Sequence, residues 1–275
     1  MNLGVARVWR AFRAMFHEIS GALKIAGTPG SLARMVADIV LLRVHVIMPL
    51  SFVNHDRTIR VRGDVLLTYR LNRGDLQSLR EVWMDEHYRL PPNVRTDTLV
   101  DLGASIGMTS VWFAKNYRCR HVLAVEPSAA NARVARQNLR QNRITADVIQ
   151  AAVGPSDGVT RFTAHEHSNL GRTFTEVGVE VGMVSMESVL QRLGEAKRLD
   201  VLKIDIEGAE EALLSGDIRW LEHVGCIIAE FHPTLVDYPN LVLKLQREGF
   251  EYLKAGGRHP ELMDVFVRQQ GRIAP

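Results

Sequence analysis

The chain has 275 residues, of which 46% are hydrophobic and 24% charged, with a formal net charge of +3. This composition excludes a disordered, collagenous or low-complexity chain, and the length suits one large domain, or one domain with a smaller appendage. A net +3 is too small to argue for a nucleic-acid partner, but it is uneven: residues 1–60 hold eight Arg/Lys against three Asp/Glu, +5, leaving −2 for the remainder.

Val5, Trp9, Phe12, Phe16, Ile19 and Leu23 recur every three or four residues, with Arg7, Arg10, Arg13 and Lys24 among the intervening positions. That spacing predicts one face of an amphipathic helix. Such a face packs on the rest of the protein or on a second copy; the sharper alternative is peripheral contact with an anionic membrane surface through residues 1–24. The arginines interrupt the apolar core that a secretory signal needs. The most apolar window, Met35 to Val53, is broken by Asp38, Arg43 and His45 and bent by Pro49, so no membrane span is expected. Two distant cysteines, Cys119 and Cys226, argue against a disulfide scaffold or a multi-cysteine zinc site. They fit a reducing, cytoplasmic setting, with the inner membrane face as the peripheral alternative.

Residues 1–57 thus read as a basic helical extension, with a second helix from Ser31 to about Val46 after the Gly27-Thr28-Pro29-Gly30 stop. Residues 58–92 read as a hairpin and capping segment: strands Thr58–Val61 and Val65–Tyr69, then Asp75 as the N-cap of a helix, then Pro91-Pro92 as a boundary. Residues 93–275 carry short apolar runs alternating with helical stretches. The runs are Thr98–Leu102, His121–Val125, Asp147–Ala151, Val201–Ile204 and Cys226–Glu230. Phe250–Lys254 and Met263–Arg268 close the chain around a turn at Ala255-Gly256-Gly257-Arg258. This rhythm predicts an α/β fold: a Rossmann-like, doubly wound, mostly parallel seven-stranded sheet with an antiparallel C-terminal hairpin.

Asp101-Leu102-Gly103-Ala104-Ser105-Ile106-Gly107 follows the first core strand and opens a helix, and Glu126 ends the next strand, 23 residues after Gly103. Glycines there permit a tight turn and close approach to a ligand, and an acid at that distance suits ribose hydroxyls. A dinucleotide site prefers G-x-G-x-x-G facing a pyrophosphate. The loop here reads D-x-G-x-x-x-G, and an acid at the strand end repels pyrophosphate and suits a cationic sulfonium ligand. That contrast favours S-adenosylmethionine over NAD; an NAD-dependent oxidoreductase is the alternative.

Asp101–Gly107 and Glu126-Pro127 resemble motifs of class I S-adenosylmethionine-dependent methyltransferases, and Leu202–Glu210 (LKIDIEGAE) resembles the signature of the FkbM family among them. Ile227–His232 is similar to that family's next strand. The resemblance covers about Gly63 to Arg268. It departs at Ser105, where Asn is common, and at Glu187, where Asp is usual. It implies donor binding by Asp101, Gly103, Ser105, Gly107, Glu126, Pro127, Ala152 and Asp205, with Ala151, Ala152 and Val153 lining an adenine pocket. It also implies a segment with Asp75, Glu81 and Tyr88 that folds over the donor, and O-methylation of a hydroxyl on a sugar, glycolipid or polyketide-type product. A lipid-linked acceptor would suit the basic N-terminus.

Asp101, Glu126, Asp205 and Glu230 fall near strand ends, where open parallel sheets bind ligands, and His232 follows. A hydroxyl acceptor must lose its proton, and His232 is the natural base by its ordinary pKa, with Asp205 its nearest competitor and Glu230 beside them. Lys203, mid-strand, reads as a buried carboxylate partner. His165 and His167 would share one face of a strand. No third ligand is near in sequence, which leaves them to a solvated loop or the acceptor pocket. No metal is required; a magnesium ion held by Asp205 and Glu230 is the alternative. A non-catalytic, membrane-associated binding module on the same fold is the remaining rival.

Overall fold

The computed structural model describes residues 3–48, 53–163, 171–173, 175, 177–194, 198–256 and 263–269. The chain opens with helices α1 (Leu3–Ile25) and α2 (Pro29–Ile47). Thr28 caps α2 by accepting the Ser31 amide, and Pro29 occupies the first turn, where its missing N–H leaves no bond unmade. Strands β1 (Asp56–Val61) and β2 (Val65–Arg70) form an antiparallel hairpin. Helix α3 (Arg73–Leu79) follows and runs on as a wider π turn over Arg80–Met84. The spacing predicts Asp75 as the cap of this helix. Asn72 caps it instead, accepting the Asp75 amide, because the helix starts three residues earlier than its apolar positions suggest.

The core alternates strands and helices: β3 (Thr98–Leu102), α4 (Met108–Asn116), β4 (His121–Val125), α5 (Ala129–Gln141) and β5 (Ala146–Ile149). Four further strands follow, β6 (Ala152–Gly154), β7 (Gly158–Thr163), β8 (Arg172–Thr173) and β9 (Val179–Ser185), then α6 (Met186–Arg192) and β10 (Leu199–Ile204). The chain continues through α7 (Glu210–Ser215), β11 (Val224–Ala229), α8 (Tyr238–Arg247), β12 (Phe250–Lys254) and β13 (Asp264–Arg268). The main sheet has seven strands in the order β12-β13-β11-β10-β3-β4-β5. Strands β11, β10, β3, β4 and β5 run parallel; β13 pairs antiparallel with β11, and β12 antiparallel with β13 at the edge.

Alternate residues of each central strand enter opposite layers, as a period of two requires. Leu99, Val122, Val201 and Ile228 join one apolar cluster, and Val100, Leu123, Leu202 and Ile227 the other. The first cluster also takes in Ala22 of α1, Met35 and Ile39 of α2, and Ile59 and Leu67 of the hairpin. The N-terminal helices therefore share the core of the sheet and do not hang from it as an appendage. The hairpin is tied down by amide side chains of α5: Asn138 and Asn142 accept from the amides of Thr68 and Leu66. A second sheet, ordered β6-β9-β7-β8, is absent from the sequence reading. Its two longer strands, β7 and β9, are exposed or half-exposed along nearly their whole length, so they lack a clean alternating pattern. It also explains why the third core strand stops at Ile149 and not at Ala151: Ala152 already belongs to the second sheet.

Candidate active site

Three acids stand in a row, each the first residue beyond a parallel strand: Glu126 after β4, Asp205 after β10 and Glu230 after β11. Their amides knit the strand ends together, Glu126 to the Ile149 carbonyl (3.0 Å), Asp205 to Leu102 (3.3 Å) and Glu230 to Ile204 (2.9 Å). Gly103 makes the row possible. Its φ is +73°, and a Cβ there would lie 1.8 Å from the Asp205 carbonyl oxygen, so no other residue lets the loop after β3 cross so close to β10. Gly107, at φ +75°, turns the chain into α4.

Asp101 does not join the row. It is the fourth residue of β3, not the first beyond it, and lies directly across from Lys203 on β10. Both are almost completely inaccessible, with Asp101 Oδ1 3.2 Å from Lys203 Nζ and the Ser110 hydroxyl donating to Asp101 Oδ2 at 2.6 Å. Asp101 thus stands behind the crevice as the counter-charge of Lys203, and the expectation that it faces a cationic ligand is corrected. Lys203 does reach the crevice. Its ammonium donates to the Leu102 and Gly103 carbonyls and lies 3.5 Å from Asp205 Oδ2. Burial opposes its charge, yet Asp101 and Asp205 hold its pKa above the ordinary lysine value.

A cavity of about 380 Å³ lies over the row, bounded by the loop after β3, by β6 and by the α3–π segment. Glu126 is its most enclosed acid. It accepts amides of Ser105 (2.9 Å) and Ser128 (2.8 Å), and burial nonetheless lifts its pKa to about 7. Gly103, Ser105, Pro127 and Ala152 line the cavity with it, as do Ala151 and Val153; Gly107 does not. The Ser105 hydroxyl is buried without a hydrogen-bond partner among the described residues and marks a polar seat there.

At the other end, Tyr88 donates its hydroxyl to Asp205 Oδ2 at 3.0 Å. His232 sits between two acids, Nδ1 3.1 Å from Glu210 Oε1 and Nε2 3.3 Å from Glu207 Oε2. Burial works against charging this ring. The hydrogen bond to Glu210 and the charges of Glu207 and Asp205 outweigh it and raise the pKa to about 9. At neutral pH the imidazole therefore carries its proton and cannot accept another. Burial, with Asp205 next, pushes Glu207 up to about 7, and burial, with Asp205 and Glu81, pushes Glu230 up to about 8. The Glu230 carboxylate lines the cavity and makes no side-chain hydrogen bond among the described residues. One ligand atom each from Asp205, Glu207 and His232 lie within 4.8 Å of one another, a set that can hold a metal ion; Glu230, the partner expected for Asp205, is outside it.

Glu81 and Tyr88 line the cavity from the capping side, and Glu81 accepts from Gln77 at 2.8 Å. Asp75 does not line it. It is fully buried and holds Arg70. His165 and His167 lie outside the described residues. Sequence reasoning quotes Glu210 at the end of the Leu202–Glu210 run but gives neither it nor Arg172 a role in the site. Glu210 is the first residue of α7, and only the chain reversal after β11 brings His232 to it. Arg172 sits on the unforeseen second sheet, yet it lines the cavity and its charge opposes the rise at Glu207.

A family profile described as the methyltransferase FkbM domain matches residues 101–252, more than half of the chain. Methyltransferase 1 of Beauveria bassiana (strain ARSEF 2860) is 24% identical over 62% of this chain and 79% of its own. The 31-O-demethyl-FK506 methyltransferase FkbM of Streptomyces tacrolimicus is 26% identical over 68% of this chain and 90% of its own. Among solved structures, the Thermus thermophilus 16S rRNA N2 G1207 methyltransferase bound to AdoMet and guanosine aligns with a TM-score of 0.42 at 15% identity over 80% of this chain. This chain spans about half (52%) of that one.

Proposed function

The chain belongs to the FkbM methyltransferase family, and from that premise we propose that it moves a methyl group from S-adenosylmethionine to a hydroxyl oxygen of a small-molecule acceptor. The observation that carries the reading is the row of Glu126, Asp205 and Glu230 around one cavity. So many acids with one buried lysine call for a cationic guest. The unpartnered Ser105 hydroxyl and the accepting Glu126 carboxylate suit a nucleoside. The relatives found are methyltransferases, so the nicotinamide reading is set aside. One relative's name gives an O-methyl position on FK506, which favours oxygen as the acceptor atom.

S-adenosylmethionine supplies a methyl group on a positively charged sulfur. This chain's residues hold the partners in line and dispose of a proton. Glu126 and the loop from Gly103 to Ser105 bind the nucleoside end. Lys203 fixes Asp205, which Tyr88 also engages, and so sets the floor on which donor and acceptor meet. Glu230 takes the acceptor hydroxyl's proton. Its pKa of about 8 is held up by burial and neighbouring acids, and a cationic donor lowers it toward working pH, so the base forms when the donor is in place. His232 is an imidazolium that shields the Glu207 and Glu210 charges rather than the base. A second reading has its own support: Asp205, Glu207 and His232, once its ring gives up a proton, are spaced so that they would hold a divalent cation, which would orient the acceptor oxygen.

One set of measurements tests both readings. Calorimetry is expected to register S-adenosylmethionine and not NAD, with Glu126→Gln weakening the donor by about tenfold or more. In a tritiated-methyl assay against cell extracts, Glu230→Gln is expected to lower kcat by about 10²–10⁴, a larger effect than its weakening of the donor. Transfer that survives EDTA supports the proton-based reading, and transfer restored by added Mg²⁺ supports the metal-assisted one. Donor binding without any transfer would return the chain to the non-catalytic alternative, and no donor binding overturns the proposal.

A further inference from the structure

Helix α1 has two unlike sides. One packs: Met15, Ile19 and Ala22 meet the core, and Gly21 lies against Met84 of the π turn. The other presents Trp9, Phe12, Phe16 and Leu23, which are 62%, 59%, 69% and 55% exposed. These four are spaced by three, four and seven residues, so they form one stripe, about 21 Å long at 1.5 Å per residue. Arg13 and Lys24 flank the stripe on the side away from the packed face. The helix holds four Arg/Lys, at positions 7, 10, 13 and 24, against a single acid, Glu18. Glu18 is already engaged, with Arg43 at 2.9 Å and Arg80 at 3.8 Å. The outward side of α1 is thus apolar along its crest and positive along its edge.

We propose that this face docks on the surface of an anionic lipid bilayer, whatever the cavity transfers. Aromatic and apolar side chains enter the boundary between headgroups and acyl chains, while Arg13 and Lys24 stay at the level of the phosphates. Charge decides between a bilayer and a second copy of the chain. Two copies meeting face to face would bring like charges together with no free acid between them. Anionic headgroups complement the edge along its whole length. Among the described residues no helix is long and apolar enough to cross a membrane, so the helix lies on the surface. Docking there also brings the membrane near the cavity wall, because α1 holds the π turn in place. His17 Nε2 is 2.8 Å from Asp85 Oδ1, and Glu81 and Val82 of that turn line the cavity.

The test is co-sedimentation of the full chain with vesicles of phosphatidylcholine alone and of phosphatidylcholine mixed with phosphatidylglycerol. The expected result is binding to the mixed vesicles that weakens by about tenfold or more without the anionic lipid and falls with added salt. The double variant Phe12→Ser/Phe16→Ser is expected to lose about tenfold or more of that binding. Arg13→Glu/Lys24→Glu is expected to lose it and to flatten the salt dependence. Thermal midpoints of both variants, measured alongside, show that the fold is kept. Equal binding to both vesicle types, variants that bind like the parent chain, or a dimer that the variants dissolve without any vesicle binding would each overturn the proposal.

Discussion

Asp75 never reaches the cavity, yet it is wired to it. Its carboxylate accepts the Arg70 amide (2.7 Å), Nε (2.9 Å) and Nη2 (2.8 Å). Arg70 Nη2 also donates to Asn131 Oδ1 at 2.6 Å, and Asn131 Nδ2 donates to Glu126 Oε1 at 3.3 Å. The chain of bonds orients Asn131, whose donation is one of the effects holding down the Glu126 pKa. Asp75→Asn leaves Arg70 short of its counter-charge, at a stability cost of about 3 kcal/mol. A purely structural role ends there. A positioning role adds a second effect: the pH at which S-adenosylmethionine binding reaches half its plateau moves upward, because Glu126 holds its proton longer. Calorimetry across pH 6–8 distinguishes the two, and an unmoved midpoint removes the positioning role. Residue placement shows where sequence reading stops. Glu126, Asp205 and Glu230 were legible because apolar runs end immediately before them. Asp101 was not, since one step of register separates the strand end from a position facing Lys203, and periodicity cannot say which neighbour lies across.

The π turn over Arg80–Met84 is the element that joins the helical layer to the cavity, and it was invisible beforehand. A five-residue widening leaves the apolar spacing of Leu76, Leu79, Val82 and Trp83 compatible with an ordinary helix. The second sheet was missed for a related reason: its strands bury too little to alternate. Helix α1 was legible as amphipathic, but spacing alone does not tell which part of a stripe meets protein, and Ile19 turns inward while its neighbours on the wheel face out. Gly21 tests the coupling between these elements. A Cβ there would lie 2.9 Å from Met84 Cβ and 2.6 Å from its sulfur, and the sulfur can swing aside more readily than the Cβ. Gly21→Val therefore displaces the π turn, with a cost of about 1–3 kcal/mol in stability. Because the turn carries Glu81 and Val82 but not Glu126, KM for the acceptor should rise while donor affinity stays near that of the parent chain. Equal losses in both would mean that the turn does not act as a separate wall.

For the molecule as a whole, the crevice sets how stability depends on pH. Glu126, Glu207 and Glu230 have folded pKa values of about 7, 7 and 8 against an ordinary 4.5, and His232 about 9 against 6.5. In each case the folded chain holds its proton where the unfolded chain has released it. Stability therefore falls as pH rises through these windows. For the acids the loss runs from about 4.5 up to 7 or 8. For His232 the favourable contribution is complete below 6.5 and gone once pH passes about 9. Acids with lowered pKa, such as Asp56 and Asp157, contribute fully above their ordinary value of 3.8 and lose that contribution only as pH falls below it, so they do not offset this slope. The ligand-free protein should thus lose several degrees of thermal midpoint between pH 5.5 and 9. Saturating S-adenosylmethionine should flatten the decline, since its sulfonium favours the ionised carboxylates that otherwise repel one another. Differential scanning calorimetry with and without donor reads both effects. A midpoint that rises with pH in the ligand-free protein would mean that these acids are ionised and satisfied without a cation, and the crevice would then have no electrostatic need for a positively charged guest.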